Sequence, residues 1–234
     1  MPYRNRGYLP HLTLPDSTYF VTFRLADTLP QNLLREFTAE KSSLIKIGTR
    51  NQKISAQQFM RLKYLKSTRI QNHLDKGIGD CWLNKPAIAE IVKGSILHFD
   101  GTRYVSHVFC IMLNHVHWLL SPKADKEAIS IDSILISIMH SVKSFTAHEA
   151  NKVLGRSGRF WSKEYYDHLV RSSEQFGRLL VYTLENPVKA GLCNHWRDWP
   201  WTVCSEKIRS ALTFEGTETK KKSPPEAGVT KCKR

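Results

Sequence analysis

Residues 103–121 have the sequence RYVSHVFCIMLNHVHWLLS, which contains two stretches rich in β-branched and aromatic side chains. The stretches 103–112 and 115–121 each predict a strand, because such side chains fit a pleated, half-buried surface. Only Leu113-Asn114 separates them, so a tight connection is expected between the two strands. The sequence therefore predicts a β-hairpin near the middle of the chain.

On the N-terminal side of this hairpin, the sequence predicts one strand and three helices. Residues 19–25 are aromatic and β-branched, which favours a strand. Apolar residues at helical spacing then predict helices at about 31–47, 55–75 and 86–98, the last with Pro86 in its first turn. The region at about 31–80 is helical and basic, and we expect it to be an insertion into the fold.

On the C-terminal side, two more helices and a short strand are predicted. A helix near 132–152 has Asp132 as a plausible N-cap, and its apolar stripe consists of Ile134, Leu135, Ile138, Met139, Val142 and Phe145. A short strand is expected from Tyr165 to Arg171. The last helix, at about 173–185, has capping-box spacing at Ser172 and Gln175 and is expected to end at Pro187.

The order of these elements predicts the fold class. A βα…ββαβα order favours an α+β fold in which helices pack on one antiparallel sheet. The 234 residues fit a single domain, which we place at 1–215. The tail at 216–234 has six basic and two acidic residues and almost nothing apolar, so it is expected to be disordered when free.

Composition narrows the classes of partner. Lys and Arg number 35 against 21 Asp and Glu, which leaves a formal charge of +14 and a pI near 9.7. Such a surplus suggests a polyanion, with nucleic acid before an anionic membrane. The longest uncharged stretch, Tyr104–Pro122, contains three histidines and is too polar to span a membrane. We therefore expect no membrane partner, and five cysteines without zinc spacing fit a reducing, cytoplasmic location.

Two histidines of the predicted hairpin are the first candidates for chemistry. His115 and His117 are two residues apart, so both imidazoles project from one face of a strand while Val116 and Trp118 take the other. Two adjacent imidazoles can supply two nitrogen ligands to one divalent ion. The alternative is a pair of half-exposed strand histidines with ordinary hydrogen bonds, and the short motif alone does not decide between the two.

Tyr182 and Asn186 in the last predicted helix are the second candidates. Tyr182 lies off the centre of the apolar stripe, and Asn186 follows one helical turn later on the same side. A tyrosine away from the core, next to an amide, could act as a nucleophile beside a ligand. The alternative is a surface tyrosine and an asparagine that ends the helix.

Other residues compete for these roles. Tyr165 and Tyr166 are rival nucleophiles, but they alternate on a strand and neither has a polar ligand one helical turn away. His168 is a further candidate near the site, although a hydrogen-bonded sheet histidine is the favoured interpretation. Tyr182 therefore stands ahead of the two rival tyrosines.

Taken together, ordered motifs from about Gly7 to Trp201 resemble those of the REP-associated tyrosine transposases, cellular relatives of the single-tyrosine HUH transposases. The chain departs from the family at Leu113, where a proline usually precedes Asn-His, but this change removes no ligand. The segments that carry the resemblance are Arg6–His11, Tyr19–Leu25, Cys81–Leu83, His98–Gly101, Met112–His117, His140–Ala147, Phe160-Trp161, Tyr165–Arg171, Tyr182–Leu192 and Asp198–Trp201.

This resemblance implies a ferredoxin-like antiparallel sheet with packed helices, of the HUH endonuclease type. It places the histidine pair of the family on His115 and His117, its nucleophile on Tyr182 and its third ligand on Asn186. A Mg²⁺ or Mn²⁺ ion held there would polarise a scissile phosphate for attack by the tyrosine. The implied activity is metal-dependent cleavage and rejoining of single-stranded DNA hairpins through a 5′-phosphotyrosine intermediate, by a nucleoid-associated monomer or homodimer.

Basic residues near the matched segments are candidates for phosphate contacts, and solvated surface charge is the alternative for each. Trp118, Trp161 and Trp196 could stack on unpaired bases. A catalytically idle hairpin-binding protein is the alternative function. A basic RNA-binding protein is a third, which leaves Tyr182 and Asn186 unexplained. The candidate phosphate contacts are Lys143, Arg159, Lys163, Arg171, Arg178 and Lys189, with Lys220, Lys221 and Lys222 in the tail.

Overall fold

The computed structural model describes residues 3–6, 9–12, 17–30, 32–33, 35–36, 39, 69–123 and 132–214. Its strands are β1 (Tyr3–Arg6), β2 (Leu9–Leu12), β3 (Tyr19–Arg24), β4 (Tyr104–Ile111), β5 (His115–Pro122), β6 (Tyr166–Leu169) and β7 (Thr202–Cys204). Its helices are α1 (Pro86–His98), α2 (Asp132–Val153), α3 (Ser173–Lys189) and α4 (Glu206–Phe214). Residues 69–74 are helical as well, and short 3-10 helices lie at Trp82–Asn84 and Trp196–Asp198.

Five of the strands form one sheet in the order β6-β3-β5-β4-β7, and all neighbours are antiparallel. The path β3-α1-β4-β5-α2-β6 is the split βαβ arrangement of ferredoxin-like folds, with β7 added at one edge. The predicted α+β class is therefore confirmed, as is the antiparallel sheet. The strands β1 and β2 pair in a separate two-stranded hairpin, which the sequence had not led us to predict.

Helices cover both faces of the sheet, and the central strands are buried on both sides for that reason. Every residue of β3 is buried, as are the first six of β5. One face packs on α1 and α2 around residues such as Phe23 and Trp118. The other packs on α3 and α4 around Phe20 and Leu119. We refer to these as the α1/α2 face and the α3/α4 face.

Two buried tryptophans on the α1/α2 face have hydrogen-bonded indole nitrogens. Trp118 Nε1 donates to Ser106 Oγ at 2.9 Å, and Trp161 Nε1 donates to Thr146 Oγ1 at 2.9 Å. Both tryptophans are buried, so they stabilise the core and are not available to stack on bases. Of the three tryptophans predicted as stacking candidates, Trp196 alone is partly exposed.

The predicted hairpin is confirmed, with small differences in the flanking elements. Met112 N donates to His115 O at 2.8 Å, so Leu113 and Asn114 form the connection as expected. The strand predicted from Tyr165 to Arg171 is shorter, at Tyr166–Leu169. The helix predicted at 132–152 is α2, but Phe145 is 55% exposed and does not join the buried stripe.

The prediction that the last helix ends at Pro187 is wrong, since α3 continues to Lys189. Proline at this position removes a single backbone donor, and the final turn is closed beyond it. Ala190 N donates to Asn186 O and Leu192 N to Pro187 O, both at 2.9 Å. Gly191 then takes a left-handed conformation with φ of 69°, which ends the helix. Asn186 consequently lies within the helix rather than at its end.

Several predictions fall on residues outside the described ranges. They include most of the insertion at about 31–80, the side chain of Asp132 and the tail at 216–234 with Lys220, Lys221 and Lys222. The domain boundaries accordingly stay predictions. None of the helices in the described ranges combines the length and apolar character needed to cross a membrane.

Candidate metal and nucleophile site

The two histidines of β5 lie side by side on the α3/α4 face of the sheet. Their Nε2 atoms are 3.0 Å apart, and the rings meet edge to face with centroids 4.6 Å apart. The imidazoles thus project from one face, as the spacing of His115 and His117 predicts. Both are fully buried, so the expected half-exposure of the structural alternative is wrong, although each imidazole makes the ordinary hydrogen bonds that this alternative expects.

The proton of His115 is placed by the residue before it. Asn114 Nδ2 donates to Ile78 O at 2.9 Å, so its Oδ1 faces His115 Nδ1 at 2.7 Å. Because a carbonyl oxygen can only accept, Nδ1 carries the proton and Nε2 keeps its lone pair. Asn114 therefore orients His115 with its Nε2 lone pair directed at His117.

The ring of His117 is held by residues of β3. Thr22 lies opposite it across the strand pair, and Thr22 Oγ1 is 2.9 Å from His117 Nδ1. A hydroxyl can donate or accept, so it suits either tautomer of this ring. Phe20 stacks on the imidazole with centroids 5.4 Å apart. Neither contact was predicted, because strand register is not visible in the sequence.

Burial keeps both imidazoles neutral. It lowers the pKa of His115 to about 3. It also lowers the pKa of His117 well below its ordinary value, and the neighbouring His115 adds to this effect. The neutral imidazole is the form that binds metal ions.

Tyr182 on α3 packs directly over the histidine pair. Its ring meets that of His117 edge to face at 5.3 Å between centroids, and that of Phe20 at 5.8 Å. The ammonium of Lys189 lies 5.4 Å from the centre of the phenol ring. The expectation that Tyr182 lies away from the core is therefore wrong. Its ring is part of the packing between α3 and the sheet.

The environment of Tyr182 favours the protonated phenol. Burial raises the pKa of Tyr182 well above its ordinary value, and the nearby Asp75, Cys110 and Tyr166 add to the rise. A hydrogen bond from the side chain of Asn186 opposes it. A nucleophilic Tyr182 would consequently need a group that lowers this barrier to ionisation.

Asn186 is buried one turn further along α3. Its Nδ2 donates to the carbonyl oxygen of Tyr182 at 3.2 Å, which leaves Oδ1 as the free pole of the amide. This residue lies beside Tyr182, as the spacing predicts. The role of Asn186 as a ligand stays a prediction.

The donor set at this position fits a divalent ion. The Nε2 atoms of His115 and His117 lie 3.0 Å apart, so both imidazoles could offer nitrogen to one ion. Imidazole nitrogen together with amide oxygen suits Mn²⁺ and is compatible with Mg²⁺. The described residues contain no group of three or more His, Cys, Asp or Glu side chains suited to a metal.

The rival tyrosines separate onto opposite faces of the sheet. Tyr165 packs on the core of the α1/α2 face, which does not contain the histidine pair. Tyr166 lies on the α3/α4 face but on β6, with β3 between it and the strand of His117. His168 Nε2 is 2.5 Å from Gln175 Nε2, which supports its interpretation as a hydrogen-bonded sheet histidine.

The predicted phosphate-binding residues form two groups. Arg178 and Lys189 are exposed on α3, the helix of Tyr182, and Arg171 is exposed just before it. Lys143 and Arg159 instead line a cavity of about 340 Å³ next to α2, together with Lys163. Lys143 Nζ donates to the carbonyl oxygens of Ser162 and Lys163, and burial lowers its pKa to about 8.

The sequence of this chain is similar to that of a known protein of the transposase class. The chain is 26% identical over 106 residues to a protein of Haemophilus influenzae strain Rd assigned as a REP-associated tyrosine transposase. The match covers 44% of this chain and 60% of that relative, less than two thirds of its length. The resemblance predicted from the motifs is confirmed by this relative. No protein-family model matches the chain.

Two solved structures are also similar. One is a REP-associated tyrosine transposase bound to a REP hairpin, with a TM-score of 0.44 and 14% identity, covering 98% of this chain and 100% of that one. The other is a crystal structure of a protein assigned as a transposase from Deinococcus radiodurans R1, with a TM-score of 0.28, 12% identity and coverages of 76% and 93%. Both TM-scores are below 0.5, so the fold assignment rests on the strand order described above.

Proposed function

We propose that this chain is a metal-dependent endonuclease and strand transferase that acts on single-stranded DNA hairpins of the REP type, with Tyr182 as its nucleophile. The observation that supports the proposal is the contact between the rings of Tyr182 and His117, since a nucleophile and a metal ligand must lie close together for this reaction. The similarity to a transposase relative supports the same reaction class.

In this proposal, each residue of the site has a defined task. His115, His117 and Asn186 hold a Mg²⁺ or Mn²⁺ ion, which supplies a Lewis acid for a non-bridging phosphate oxygen. Asn114 and Thr22 fix the orientation of the two imidazoles. The ammonium of Lys189 lies over the phenol ring of Tyr182, where it can contact a phosphate of bound DNA.

The reaction proceeds by exchange of one ester for another. The hydroxyl oxygen of Tyr182 loses its proton and attacks the scissile phosphorus. A tyrosine–phosphate bond forms, the bond between phosphorus and the 3′ oxygen breaks, and the departing 3′ oxygen takes up a proton to become a 3′-hydroxyl. The 5′-phosphotyrosine ester keeps a phosphodiester bond of similar energy, so a 3′-hydroxyl can reverse the step. This reversibility is what strand transfer requires.

The experiment is a covalent-adduct assay with a hairpin oligonucleotide labelled at its 3′ end, so that the fragment joined to the protein carries the label. We expect a labelled adduct on a denaturing gel with Mn²⁺ and none with EDTA. Tyr182→Phe should abolish it, whereas the matched controls Tyr165→Phe and Tyr166→Phe should retain it. An adduct that survives Tyr182→Phe would rule out this nucleophile.

A second candidate function is binding of a DNA hairpin without cleavage. The complete burial of His115 and His117 favours it, because a phosphate cannot reach a closed site. Hairpin binding in a gel-shift assay, without any adduct in the presence of Mn²⁺ or Mg²⁺, would establish this alternative. Whether the protein acts as a monomer or homodimer, and in the nucleoid, stays part of the proposal.

A further inference from the structure

Two cationic side chains lie over the ring of Trp82, a partly buried residue of the 3-10 helix before α1. The ammonium of Lys85 and the guanidinium carbon of Arg156 are each 5.7 Å from the ring centre. The indole nitrogen has no hydrogen-bond partner in the described part of the chain, whereas those of Trp118 and Trp161 are both bonded. Contact with cations therefore distinguishes this tryptophan from those two tryptophans of the core.

Neither cation beside Trp82 is paired with a carboxylate among the described residues. Lys85 is exposed at the position before α1, and Arg156 is partly exposed just after α2. The guanidinium of Arg156 donates to the backbone oxygen of Arg159 at 3.5 Å, which leaves most of its donors for another partner. Two like charges beside one ring repel each other, and a bound anion would remove this repulsion.

Hydrogen-bonded turns hold both cations beside the ring. Arg156 N donates to Asn151 O at 3.0 Å, and the side chain of Asn151 donates to Gly158 O at 2.8 Å, which closes the turn after α2. Lys85 N donates to Trp82 O at 3.1 Å, so these two residues share one turn. Since both backbones are fixed, less conformational entropy is lost when the side chains bind an anion.

Two more cations lie in the segment that joins this turn to the sheet. Arg159 and Lys163 are exposed, and in the described ranges neither is paired with a carboxylate. Ser162 N donates to Arg24 O at 2.8 Å, and Arg24 lies opposite His115 across the strand pair. Neighbouring strands are about 4.8 Å apart, so the backbone of Ser162 lies about 10 Å from that of His115.

The chemistry of this surface fits the backbone of a nucleic acid. A row of exposed cations without carboxylate partners suits a chain of phosphates better than a single small anion. An aromatic ring among such cations is typical of surfaces that bind single strands. Because the surface begins about 10 Å from the histidine pair, it can hold the same strand that enters the site.

We propose that Lys85 and Arg156 bind two neighbouring phosphates of single-stranded DNA, and that Trp82 is the positioning residue for both cations. Arg159 and Lys163 line the path from these phosphates to the histidine pair. The inference rests on the proposed function and deepens it. The strand that continues from the scissile phosphate passes the end of β3 and reaches the turn after α2.

The test measures DNA binding to the full chain by fluorescence anisotropy at several salt concentrations, with EDTA present so that no cleavage intervenes. One labelled DNA is a REP-type hairpin with single-stranded flanks, and the other is the same hairpin with a blunt end. For the flanked DNA, the double variant Lys85→Ala/Arg156→Ala should reduce the slope of log affinity against log salt concentration by about 1.4, because each phosphate contact on a single strand contributes about 0.7. Its affinity for the blunt hairpin should match that of the unaltered protein.

Lys93→Ala is the matched control and should leave the slope unchanged. Lys93 also lies over an indole, 5.9 Å from the ring centre of Trp201, but its ammonium is paired with Glu90 at 3.3 Å. Trp82→Leu should weaken binding of the flanked DNA about fivefold although both cations remain. Trp82→Phe should restore most of this loss, because a phenyl ring also attracts cations. Melting temperatures establish that each variant is folded.

An unchanged slope in the double variant, with the Tyr182 adduct still formed, would overturn the inference and leave the proposed function standing. Equal weakening for both DNAs would place the contacts on the duplex stem and refute the assignment to a single strand. Tighter binding of an RNA of the same sequence would contradict the assignment to DNA. A reduced slope without any adduct would support the binding site and count against cleavage. If the unaltered protein bound neither DNA, both proposals would fail.

Discussion

At the scale of single residues, the arrangement of the site depends on side chains that have no part in the chemistry. Asn114 fixes the tautomer of His115, and Thr22 meets the far nitrogen of His117. Phe20 packs against both His117 and Tyr182 and so holds the two rings at a defined separation. Thr22 and Phe20 lie on β3, so the orientation of His117 is set by the rigid centre of the sheet, whereas Asn114 acts on His115 from the connection before β5.

The raised pKa of Tyr182 predicts a pH-dependent rate of adduct formation. Only the phenolate attacks, and its fraction rises about tenfold for each pH unit as long as the pH is below the pKa of the phenol. Since burial raises that pKa above its ordinary value, the rate should increase steadily from pH 7 to pH 9 without a plateau. The measurement is the initial rate of adduct formation with Mg²⁺ at constant ionic strength.

A flat profile over this range would mean that ionisation of Tyr182 does not limit the reaction. The control is hairpin binding at the same pH values, which should not rise with pH. If binding rose in parallel with the adduct, the profile would report on DNA affinity and not on the nucleophile. A profile that levels off below pH 8 would contradict a raised pKa in the working site.

At the scale of elements, the helix α3 carries Tyr182 and Asn186 close to its own C-terminal end. Tyr182, Asn186 and Lys189 lie along its last two turns, and the helix passes Pro187 before it stops. The left-handed Gly191 permits the closing hydrogen bonds that follow. The position of Asn186 relative to Tyr182 therefore depends on a helix end that lies beyond the proline.

We predict opposite effects for two glycine-to-alanine substitutions near the ends of this helix. Gly191→Ala should lower the free energy of unfolding by about 1 kcal/mol, because alanine at a φ of 69° is strained. Gly177→Ala should raise it by up to about 1 kcal/mol, since this glycine is helical and no atom lies near the added methyl group. Urea unfolding followed by circular dichroism measures both.

If Gly191→Ala proved as stable as the unaltered protein, the closing turn would not depend on the left-handed residue. Gly177→Ala is the control, because it shows how alanine affects the stability of this helix at a position without a left-handed conformation. Both variants leave the histidine pair untouched, so Mn²⁺ binding to them should match that of the unaltered protein.

The element patterns show what the sequence could and could not predict. The hairpin around Leu113-Asn114 was correctly predicted, because short-range patterns determine strands and tight turns. The end of α3 was not correctly predicted, because a proline in the last turn removes only one backbone donor. The hydrogen bonds that close the helix come from residues after the proline. The prediction that Tyr182 lies away from the core was also wrong. The apolar stripe of a helix does not show that a side chain beside the stripe packs on residues of the sheet, as Tyr182 packs on His117 and Phe20.

Contacts between distant parts of the chain were beyond prediction for a different reason. Thr22 meets His117 through strand register, and Gln71 meets it through the placement of an inserted segment. Neither leaves a periodic signal in the sequence. The roles of His115, His117, Tyr182 and Asn186 came from resemblance, and the structure adds which of their side chains touch.

At the scale of the whole molecule, lysines that contribute to the net charge of +14 lie in different surroundings. Lys189 lies at the phenol ring of Tyr182. Lys143 is bonded to two backbone carbonyls on the α2 side of the sheet. We therefore predict different effects on DNA binding when these two lysines are replaced, although the sequence alone predicted both as phosphate contacts.

We predict that Lys189→Ala weakens hairpin binding and reduces the slope of log affinity against log salt concentration by about one, as expected for a lost phosphate contact. Lys143→Ala should leave the slope unchanged, because its ammonium is engaged by the protein. Fluorescence anisotropy with a labelled hairpin at several salt concentrations measures both. If the slope of log affinity against log salt concentration were equal for Lys189→Ala and the unaltered protein, Lys189 would not contact a DNA phosphate.

The site draws its parts from widely separated points of the chain: Thr22 early, Gln71 from the inserted segment, the histidine pair at the middle and Tyr182 near the end of the described residues. During synthesis, the two histidines leave the ribosome well before Tyr182 does. The central strand β5 must also wait for α3 before its outer face is covered. A half-made chain thus carries an imidazole pair without its tyrosine. The site can therefore assemble only after α3 has been synthesised, so a chain that stops before Tyr182 would lack the proposed nucleophile.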